Sequence, residues 1–322
     1  MSNVIKTHLI PLCWHSILRP AVGLALSVLI CLLIVPLAKA AEPLSTGKGS
    51  YIFRDDAGRP EKPVTVWYYK PANLSSTAKM LFVMHGMQRN GKEYRDHWAS
   101  YAEKYNFLLV VPEFSEQYYP NKEEYQFGNI TDSKVHRWSF SVVEHLFDAL
   151  RASESLSAEK YYIYGHSAGA QFVHRYILFM QSPRVEVAIS ANAGSYTMPI
   201  YPSWYQSPFP WSLDKGIVSE DRLKCVFARR LIVMLGENDT DPNHKYLPKS
   251  SQAMAQGKTR FERGQNFYQT AQKQAAALMT PFNWELVIVP GVAHSDNGMG
   301  RFAAKYLFEN QLNGLISKLN TN

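Results

Sequence analysis

The chain has 322 residues, 46% of them apolar, which is enough for a substantial core and argues against intrinsic disorder. Its formal net charge of +7 is modest and includes no Lys/Arg-rich run, so the composition does not indicate a nucleic-acid-binding protein. Of three cysteines, only Cys225 follows the first forty residues, which excludes an internal disulfide in the rest of the chain. We expect Cys225 to be a buried structural cysteine.

The first forty residues have the pattern of a secretory signal. Lys6 and Arg19 precede or flank an apolar run over residues 21–37, and Ala38-Lys39-Ala40 then forms the small-residue motif of a cleavage site. We therefore predict that residues 1–40 are a signal peptide. Residues 41–322 would then form a single exported domain, periplasmic or secreted, without stable membrane association. The alternative is an uncleaved membrane anchor through residues 20–38, because the run is near the length that spans a bilayer.

The rest of the chain alternates short β-branched or aromatic runs with helical patterns. This order is typical of βα units in a mainly parallel sheet. The predicted strands are 64–69, 80–84, 107–111, 161–164, 185–189, 231–235 and 286–289, and the predicted helices are 91–105, 138–151, 168–180, 261–279 and 299–315. The sequence therefore predicts an α/β fold in which a mainly parallel sheet is flanked by helices.

Two long segments do not fit the regular units. Residues 195–228 are rich in aromatic residues and prolines, and residues 238–259 are polar and follow directly after a strand. Long loops inside a compact domain are usually functional. We therefore predict a loop or cap insertion after the sixth strand of the fold, in which Tyr196, Trp204 and Trp211 bind the substrate. The alternative is a surface excursion whose aromatic side chains only pack onto the domain.

Ser167 is the candidate nucleophile. It lies at the centre of Gly165-His166-Ser167-Ala168-Gly169, directly between a predicted strand and a predicted helix. Such a strand-to-helix turn is sharp, so a side chain two residues before or after the serine would collide with neighbouring backbone. Glycine at both positions and the free N–H groups of the following helix turn therefore favour a catalytic serine.

A serine hydroxyl needs a general base, and the base needs a carboxylate to orient it. His294 lies in the loop after the last predicted strand and is the predicted base, with His244 as a weaker candidate. Asp239 follows the strand 231–235 and is the predicted acid, although Asp241 and Glu237 are close enough in sequence to replace it. The chain order Ser167, Asp239, His294 is that of α/β-hydrolases.

The tetrahedral intermediate also needs hydrogen-bond donors for its oxyanion. One is expected from the backbone N–H of Ala168. The second is expected from the backbone N–H of Met87, in the loop after the buried strand 80–84, where Gly86 allows close backbone approach.

Three motifs carry a resemblance to a known family. The segments MHGMQRN, GHSAG and GVAH resemble those of polyhydroxybutyrate-depolymerase-like esterases, which include feruloyl and acetyl-xylan esterases, within the α/β-hydrolase superfamily. The resemblance covers essentially the whole chain after residue 40 and matches the family's triad order and oxyanion positions. The chain departs from it at Met87, where those esterases commonly carry a cysteine, and in lacking the cysteines for the disulfides of many secreted members.

The resemblance implies an exported serine esterase that acts through an acyl-enzyme intermediate on a small or polymeric ester. The alternatives are a serine peptidase or amidase on the same fold, and a non-catalytic binding module. No phosphate-binding glycine-rich loop, Cys/His metal spacing or H-E-x-x-H motif is present in the sequence. We therefore expect no cofactor, metal or nucleic-acid partner.

Overall fold

The computed structural model describes residues 42–201 and 209–319. The predicted signal peptide and Trp204 lie outside the described residues. Eight strands form one sheet, in the spatial order β1-β2-β4-β3-β5-β6-β7-β8. Their bounds are β1 Gly47–Phe53, β2 Val64–Lys70, β3 Met80–Met84, β4 Leu108–Glu113, β5 Tyr161–His166, β6 Val185–Ala191, β7 Leu231–Gly236 and β8 Glu285–Val289.

The sheet is antiparallel at one edge and parallel elsewhere. Strand β2 runs antiparallel to both β1 and β4, whereas all neighbouring pairs from β4 to β8 are parallel. Strands β3, β5 and β7 are buried along their whole length, which explains their continuous apolar runs. The predicted α/β-hydrolase fold is therefore confirmed, with β1 as an additional edge strand that was not predicted.

Helices cover both faces of this sheet. Their bounds are α1 Gly91–Tyr105, α2 Ser141–Ser153, α3 Ala168–Phe179, α4 Glu220–Phe227, α5 Ser251–Ala255, α6 Arg260–Ala277 and α7 Asp296–Leu319, with a short 3₁₀ turn at Val135–Arg137. Helices α1 and α7 pack on one face through Trp98, Ala303 and neighbouring apolar residues. Helices α2, α3, α4 and α6 pack on the other face around Phe147, Phe172 and Phe267. None of the helices in the described residues combines the length and apolar character needed to cross a membrane.

The segment between β6 and α4 is the predicted insertion after the sixth strand. In its described part it forms turns and one isolated bridge, Met198 with Ser212. The expectation for Cys225 is wrong, because this residue lies on the outer side of α4 and is exposed. The amphipathic pattern of α4 buries Leu223, Val226 and Phe227 instead.

Candidate active site

Ser167 occupies a strained turn between β5 and α3. Its backbone has φ 57° and ψ −112°, a conformation that L-residues adopt only when the surrounding structure enforces it. A Cβ atom at Gly165 would lie 2.2 Å from the carbonyl oxygen of Gly169, and one at Gly169 would lie 2.0 Å from that of Met84. The two glycines are therefore required by close backbone approach, as their positions around the serine predicted.

Three predicted side chains meet above the carboxyl ends of the parallel strands. His294 Nε2 lies 3.1 Å from Ser167 Oγ, and His294 Nδ1 lies 2.8 Å from Asp239 Oδ2. Asp239 is held in a tight turn after β7, where its N–H donates to the carbonyl of Gly236, and its side chain is only 2% exposed. Because a carboxylate can only accept, Nδ1 of His294 carries the proton and Nε2 is free to accept one from Ser167.

The other acidic residues of this loop face elsewhere. Asp241 is exposed and accepts the N–H of Asn243 at 2.8 Å, while Glu237 accepts the N–H of Gly291 at 2.8 Å. Asp239 is thus the carboxylate that the structure brings to His294. His244 lies beside His294, at 5.1 Å between ring centroids, but it makes no hydrogen bond to Ser167 in the part of the chain that the structure describes.

Asn192 connects the loops that carry Asp239 and His294. It follows β6, has a φ of 53° and is completely buried. Its Oδ1 accepts the N–H of Gly236 at 2.8 Å, and its Nδ2 donates to the carbonyl of Ala293 at 3.2 Å. This amide therefore fixes the end of β7 relative to the histidine loop, a role that no sequence motif indicated.

His85 holds the predicted oxyanion loop against the core. Its Nδ1–H donates to the carbonyl of Gly86 at 2.9 Å, and its Nε2 accepts the N–H of Phe114 at 3.0 Å. The ring stacks on Tyr125 at 4.6 Å between centroids. Burial lowers the pKa of His85 to about 3, so the ring stays neutral.

Arg89 anchors the other side of the same loop. Its guanidinium donates to three backbone carbonyls, those of Phe114, Tyr119 and Asn121, and lies over the ring of Tyr125. This network explains why a buried cation is tolerated there and why the loop keeps its path.

The two predicted oxyanion donors lie next to Ser167. Met87, Ser167 and Ala168 line the same cavity, and Met87 is 49% exposed. Within residues 42–201 and 209–319, neither backbone N–H has a hydrogen-bond partner in the protein. Both are therefore available to a ligand atom, as the start of a helix and a tight loop allow.

Ser167 lines two cavities of similar size. The first, of 300 Å³, is lined by four histidines and two acidic residues and is called the histidine cavity below; these residues are His97, His166, His244, His294, Glu93 and Asp296. The second, of 310 Å³, contains Trp211, Phe127 and Ala168 and is called the tryptophan cavity. Trp211 also lines a larger cavity of 600 Å³, which contains no residue of the Ser167, Asp239 and His294 group.

The three predicted substrate-binding aromatics have different positions. Trp211 lines the tryptophan cavity. Tyr196 is instead completely buried in the core, where it stacks on Phe267 at 4.4 Å between centroids and lies beside His174. The prediction for Tyr196 is therefore corrected, since its ring faces the core and lines neither cavity. Trp204 lies outside the described residues.

Arg260, which was not predicted as a site residue, lies beside Asp239. Its Nη1 is 3.5 Å from Asp239 Oδ1. The available signal was its position directly after Thr259, which caps α6, because a cation in the first turn opposes the helix dipole. Nowhere in the described residues is a group of three or more His, Cys, Asp or Glu side chains placed to hold a metal ion.

Two solved structures are relatives of this chain. Poly(aspartic acid) hydrolase-1 from Sphingomonas sp. KT-1 is 38% identical with a TM-score of 0.77, and the match covers 81% of this chain and 98% of that one. LpqC, a poly(3-hydroxybutyrate) depolymerase from Bordetella parapertussis, is 31% identical with a TM-score of 0.77, over 83% of this chain and 90% of that one.

A more distant structure shares the fold alone. An S-formylglutathione hydrolase from Agrobacterium tumefaciens is 12% identical with a TM-score of 0.53, and the match covers 83% of this chain and 96% of that one. No protein-family profile matches the chain, and a comparison with curated protein sequences also found no match.

Proposed function

The chain belongs to the α/β-hydrolase family of poly(3-hydroxybutyrate)-depolymerase-like hydrolases, and we propose that it is an exported serine hydrolase that cleaves carboxylic esters. The observation that carries this proposal is the continuous hydrogen-bonded path from Asp239 through His294 to Ser167, with distances of 2.8 and 3.1 Å. This path is the geometry that turns a weakly nucleophilic hydroxyl into an acyl acceptor.

The proposed reaction proceeds in two acyl transfers. Ser167 Oγ attacks the ester carbonyl carbon while its proton passes to His294 Nε2, and Asp239 stabilises the resulting imidazolium. The N–H groups of Met87 and Ala168 donate to the oxyanion. The C–O bond to the alcohol then breaks as His294 returns the proton to the leaving oxygen. Water then attacks the acyl carbon while His294 takes its proton, and the bond to Ser167 Oγ breaks as His294 returns the proton to that oxygen and the acid leaves.

The positions of His294 and Ala168 indicate which portion of the substrate each cavity would hold. His294 must reach the leaving oxygen, and it lines the histidine cavity, so the alcohol portion is expected there. Ala168 lines only the tryptophan cavity of the two, beside Met87 and Ser167, so the acyl portion is expected on that side. Open space on both sides of Ser167 is compatible with a polymeric substrate as well as with a small ester.

A second candidate function, amide hydrolysis with an anionic acyl group, is favoured by the charges of the tryptophan cavity. Lys122 and Lys245 line it, and among residues 42–201 and 209–319 no acidic side chain does. Two ammonium groups would attract a carboxylate on the acyl portion. A relative in this family is described as a poly(aspartic acid) hydrolase, whose substrate carries such carboxylates.

A matched substrate panel tests both functions. We expect the purified protein to hydrolyse 4-nitrophenyl esters of graded acyl length, and Ser167→Ala to abolish turnover and labelling by a fluorophosphonate probe. Comparing 4-nitrophenyl butyrate with the mono-4-nitrophenyl ester of succinic acid measures the preference for a carboxylate on the acyl portion. Comparing each ester with the corresponding 4-nitroanilide measures the preference for an amide. An unlabelled wild-type protein with no turnover would refute the serine hydrolase proposal, and efficient anilide cleavage without esterase activity would favour the second candidate.

Export is a separate part of the proposal. It is supported by the charged, apolar and small-residue order of residues 1–40. N-terminal sequencing of the protein recovered from the periplasm or medium of a Gram-negative host should begin at Ala41. Recovery of the intact N-terminus in the membrane fraction would support an anchor instead.

A further inference from the structure

Arg260 occupies an unfavourable position unless a specific partner compensates it. It is the first residue of α6, directly after Thr259, whose hydroxyl accepts the N–H of Glu262. Its side chain is only 1% exposed. A guanidinium buried at the positive end of a helix is destabilised by both desolvation and the helix dipole. Its surroundings must therefore supply negative charge or hydrogen-bond acceptors.

Two residues of the active site supply them. Nη1 of Arg260 lies 3.5 Å from Oδ1 of Asp239, and Nη2 lies 3.1 Å from Nδ1 of His244. The other oxygen of Asp239, Oδ2, accepts from His294. Arg260 and His294 thus each contact one oxygen of the Asp239 carboxylate, so the guanidinium restricts the rotation of that carboxylate.

The hydrogen bonds of His244 determine its tautomer. Its Nδ1 also faces the backbone N–H of Tyr246 at 3.3 Å, so this nitrogen accepts from two donors and carries no proton. In the neutral ring the proton is on Nε2. The ring lies 5.1 Å from that of His294, inclined at 69°. Desolvation lowers the pKa of His244, and the charges of Arg260 and His294 lower it further.

We propose that Arg260 and His244 are positioning residues for the acid–base half of the site. Arg260 fixes Asp239 from the side opposite His294 and holds His244 as a neutral neighbour of the base. This inference rests on the proposed Ser167, His294 and Asp239 mechanism.

Other titratable groups lie around these residues. They face Asp239, His294 or His244 from four elements: His166 at the end of β5, Tyr196 after β6, Asp241 in the loop after β7 and Asp296 at the start of α7. None of them is altered in the variants below, so a difference between variant and wild type reports Arg260 or His244.

The first test compares kcat and KM for 4-nitrophenyl butyrate in Arg260→Gln. Arg260 lines neither cavity beside Ser167, so the loss of its contacts to Asp239 and His244 should lower kcat about tenfold and leave KM within about twofold of the wild-type value. The matched control is Arg263→Gln, since Arg263 is also buried on α6. Among the described residues it donates to the carbonyls of Gly257, Gly194 and Pro248 and to the sulfur of Met254, and not to Asp239 or His244. Its kcat should stay within about threefold of the wild-type value. An unchanged kcat in a folded, fluorophosphonate-labelled Arg260→Gln protein would overturn the proposal.

The second test uses His244 and applies even where Arg260→Gln does not fold. The change His244→Asn keeps a side-chain acceptor close to the position of Nδ1, whereas His244→Ala removes it. We expect His244→Ala to lower kcat about tenfold, the loss of one hydrogen bond to a charged donor, and His244→Asn to retain kcat within about threefold. Equal kcat values in both variants would contradict the positioning role. Wild-type protein that is neither labelled nor active would instead refute the underlying mechanism.

Discussion

Asn192 illustrates how a single amide can align two catalytic loops. Its two polar atoms bond backbone groups at Gly236 and Ala293, which lie three residues before Asp239 and one residue before His294. The side chain is completely buried and its backbone is in the left-handed region, so few residues could replace it. Asparagine is one of the few L-residues that adopt this conformation readily.

We predict that Asn192→Gly lowers stability and turnover together. Glycine accepts the positive φ, so the change reports the two lost hydrogen bonds, one of which leaves the N–H of Gly236 buried without its partner. The expected loss is about 2 kcal/mol in the free energy of unfolding. Small displacements of Asp239 and His294 should also lower kcat about ten- to hundredfold. Urea unfolding and kcat for 4-nitrophenyl butyrate measure the two effects.

Asn106→Gly is the matched control for this prediction. Asn106 has a nearly identical φ of 54°, but it is exposed at the end of α1, where its amide donates to the carbonyl of Asn73. We expect less than about 0.5 kcal/mol change in stability and an unchanged kcat. Equal kcat values for Asn192→Gly and Asn106→Gly would show that Asn192 does not align the site.

At the scale of the elements, short β-branched or aromatic runs were sufficient to locate seven of the eight described strands. Strand β1 was not predicted because its sequence, GKGSYIF, contains two glycines and has no apolar run longer than three residues. It lies at the edge of the described sheet, where it pairs with β2 and is partly exposed. Residue type alone also does not distinguish an aromatic side chain that packs in the core from one that lines a cavity. Tyr196 and Trp211 belong to the same loop, yet one packs under α6 and the other lines a cavity.

Those active-site residues could be predicted that directly follow a recognisable strand in the sequence. Ser167 and His294 each follow a recognisable strand, and the sheet topology brings these strand ends together. The choice among Glu237, Asp239 and Asp241 depended on the direction of each side chain within one turn, which spacing does not determine. The place of Arg260 in the first turn of α6 is unusual for a cation, but no local pattern relates it to Asp239, which it contacts through tertiary packing.

The turn between β5 and α3 that carries Ser167, called the elbow below, gives a prediction about how closely these elements pack. A methyl group at Gly169 would lie 2.0 Å from the carbonyl oxygen of Met84 and 2.8 Å from that of His85. Both obstacles are backbone, so α3 would have to move away from β3 and from the loop that carries Met87. We therefore expect Gly169→Ala to lower the free energy of unfolding by about 3 kcal/mol or more and to reduce fluorophosphonate labelling.

Gly216→Ala provides the comparison for this steric argument. Its Cβ would meet only Oδ1 of Asp214, at 3.1 Å, and that exposed side chain can rotate away. We expect a change below about 0.5 kcal/mol and normal labelling. Gly169→Ala protein with wild-type stability and labelling would contradict the required close approach of α3 and β3.

For the whole molecule, buried neutral histidines connect the site to pH-dependent stability. His85, His166 and His174 lie in three separate segments, the oxyanion loop, the elbow and α3, and all are buried. Burial is the largest cause that lowers the pKa of each, to about 3 for His85. The unfolded chain therefore binds more protons than the folded chain once the pH falls below about 6.5.

The sign of this effect follows from linkage. A histidine whose folded pKa is lowered contributes stability above its unfolded pKa, and that stability decreases as the pH falls from about 6.5 towards about 3. His97 and Asp296 act in the opposite direction, because their pKa values are raised in the folded protein. Because His97 and Asp296 are the same in a histidine variant and in the wild type, their contributions cancel when the two pH dependences are compared. The difference then reports the one histidine that was changed.

We predict that His85→Gln flattens the pH dependence of stability. Between pH 6 and 4.5, the slope of the free energy of unfolding against pH should be smaller than in the wild type by up to about 1.4 kcal/mol per pH unit, the value for one proton. The variant is expected to be less stable at pH 7.5, because Phe114 N–H and Gly86 lose their partner ring, so only slopes are compared. Urea unfolding at several pH values measures them. Parallel curves for His85→Gln and wild type would mean that His85 takes up a proton in the folded protein.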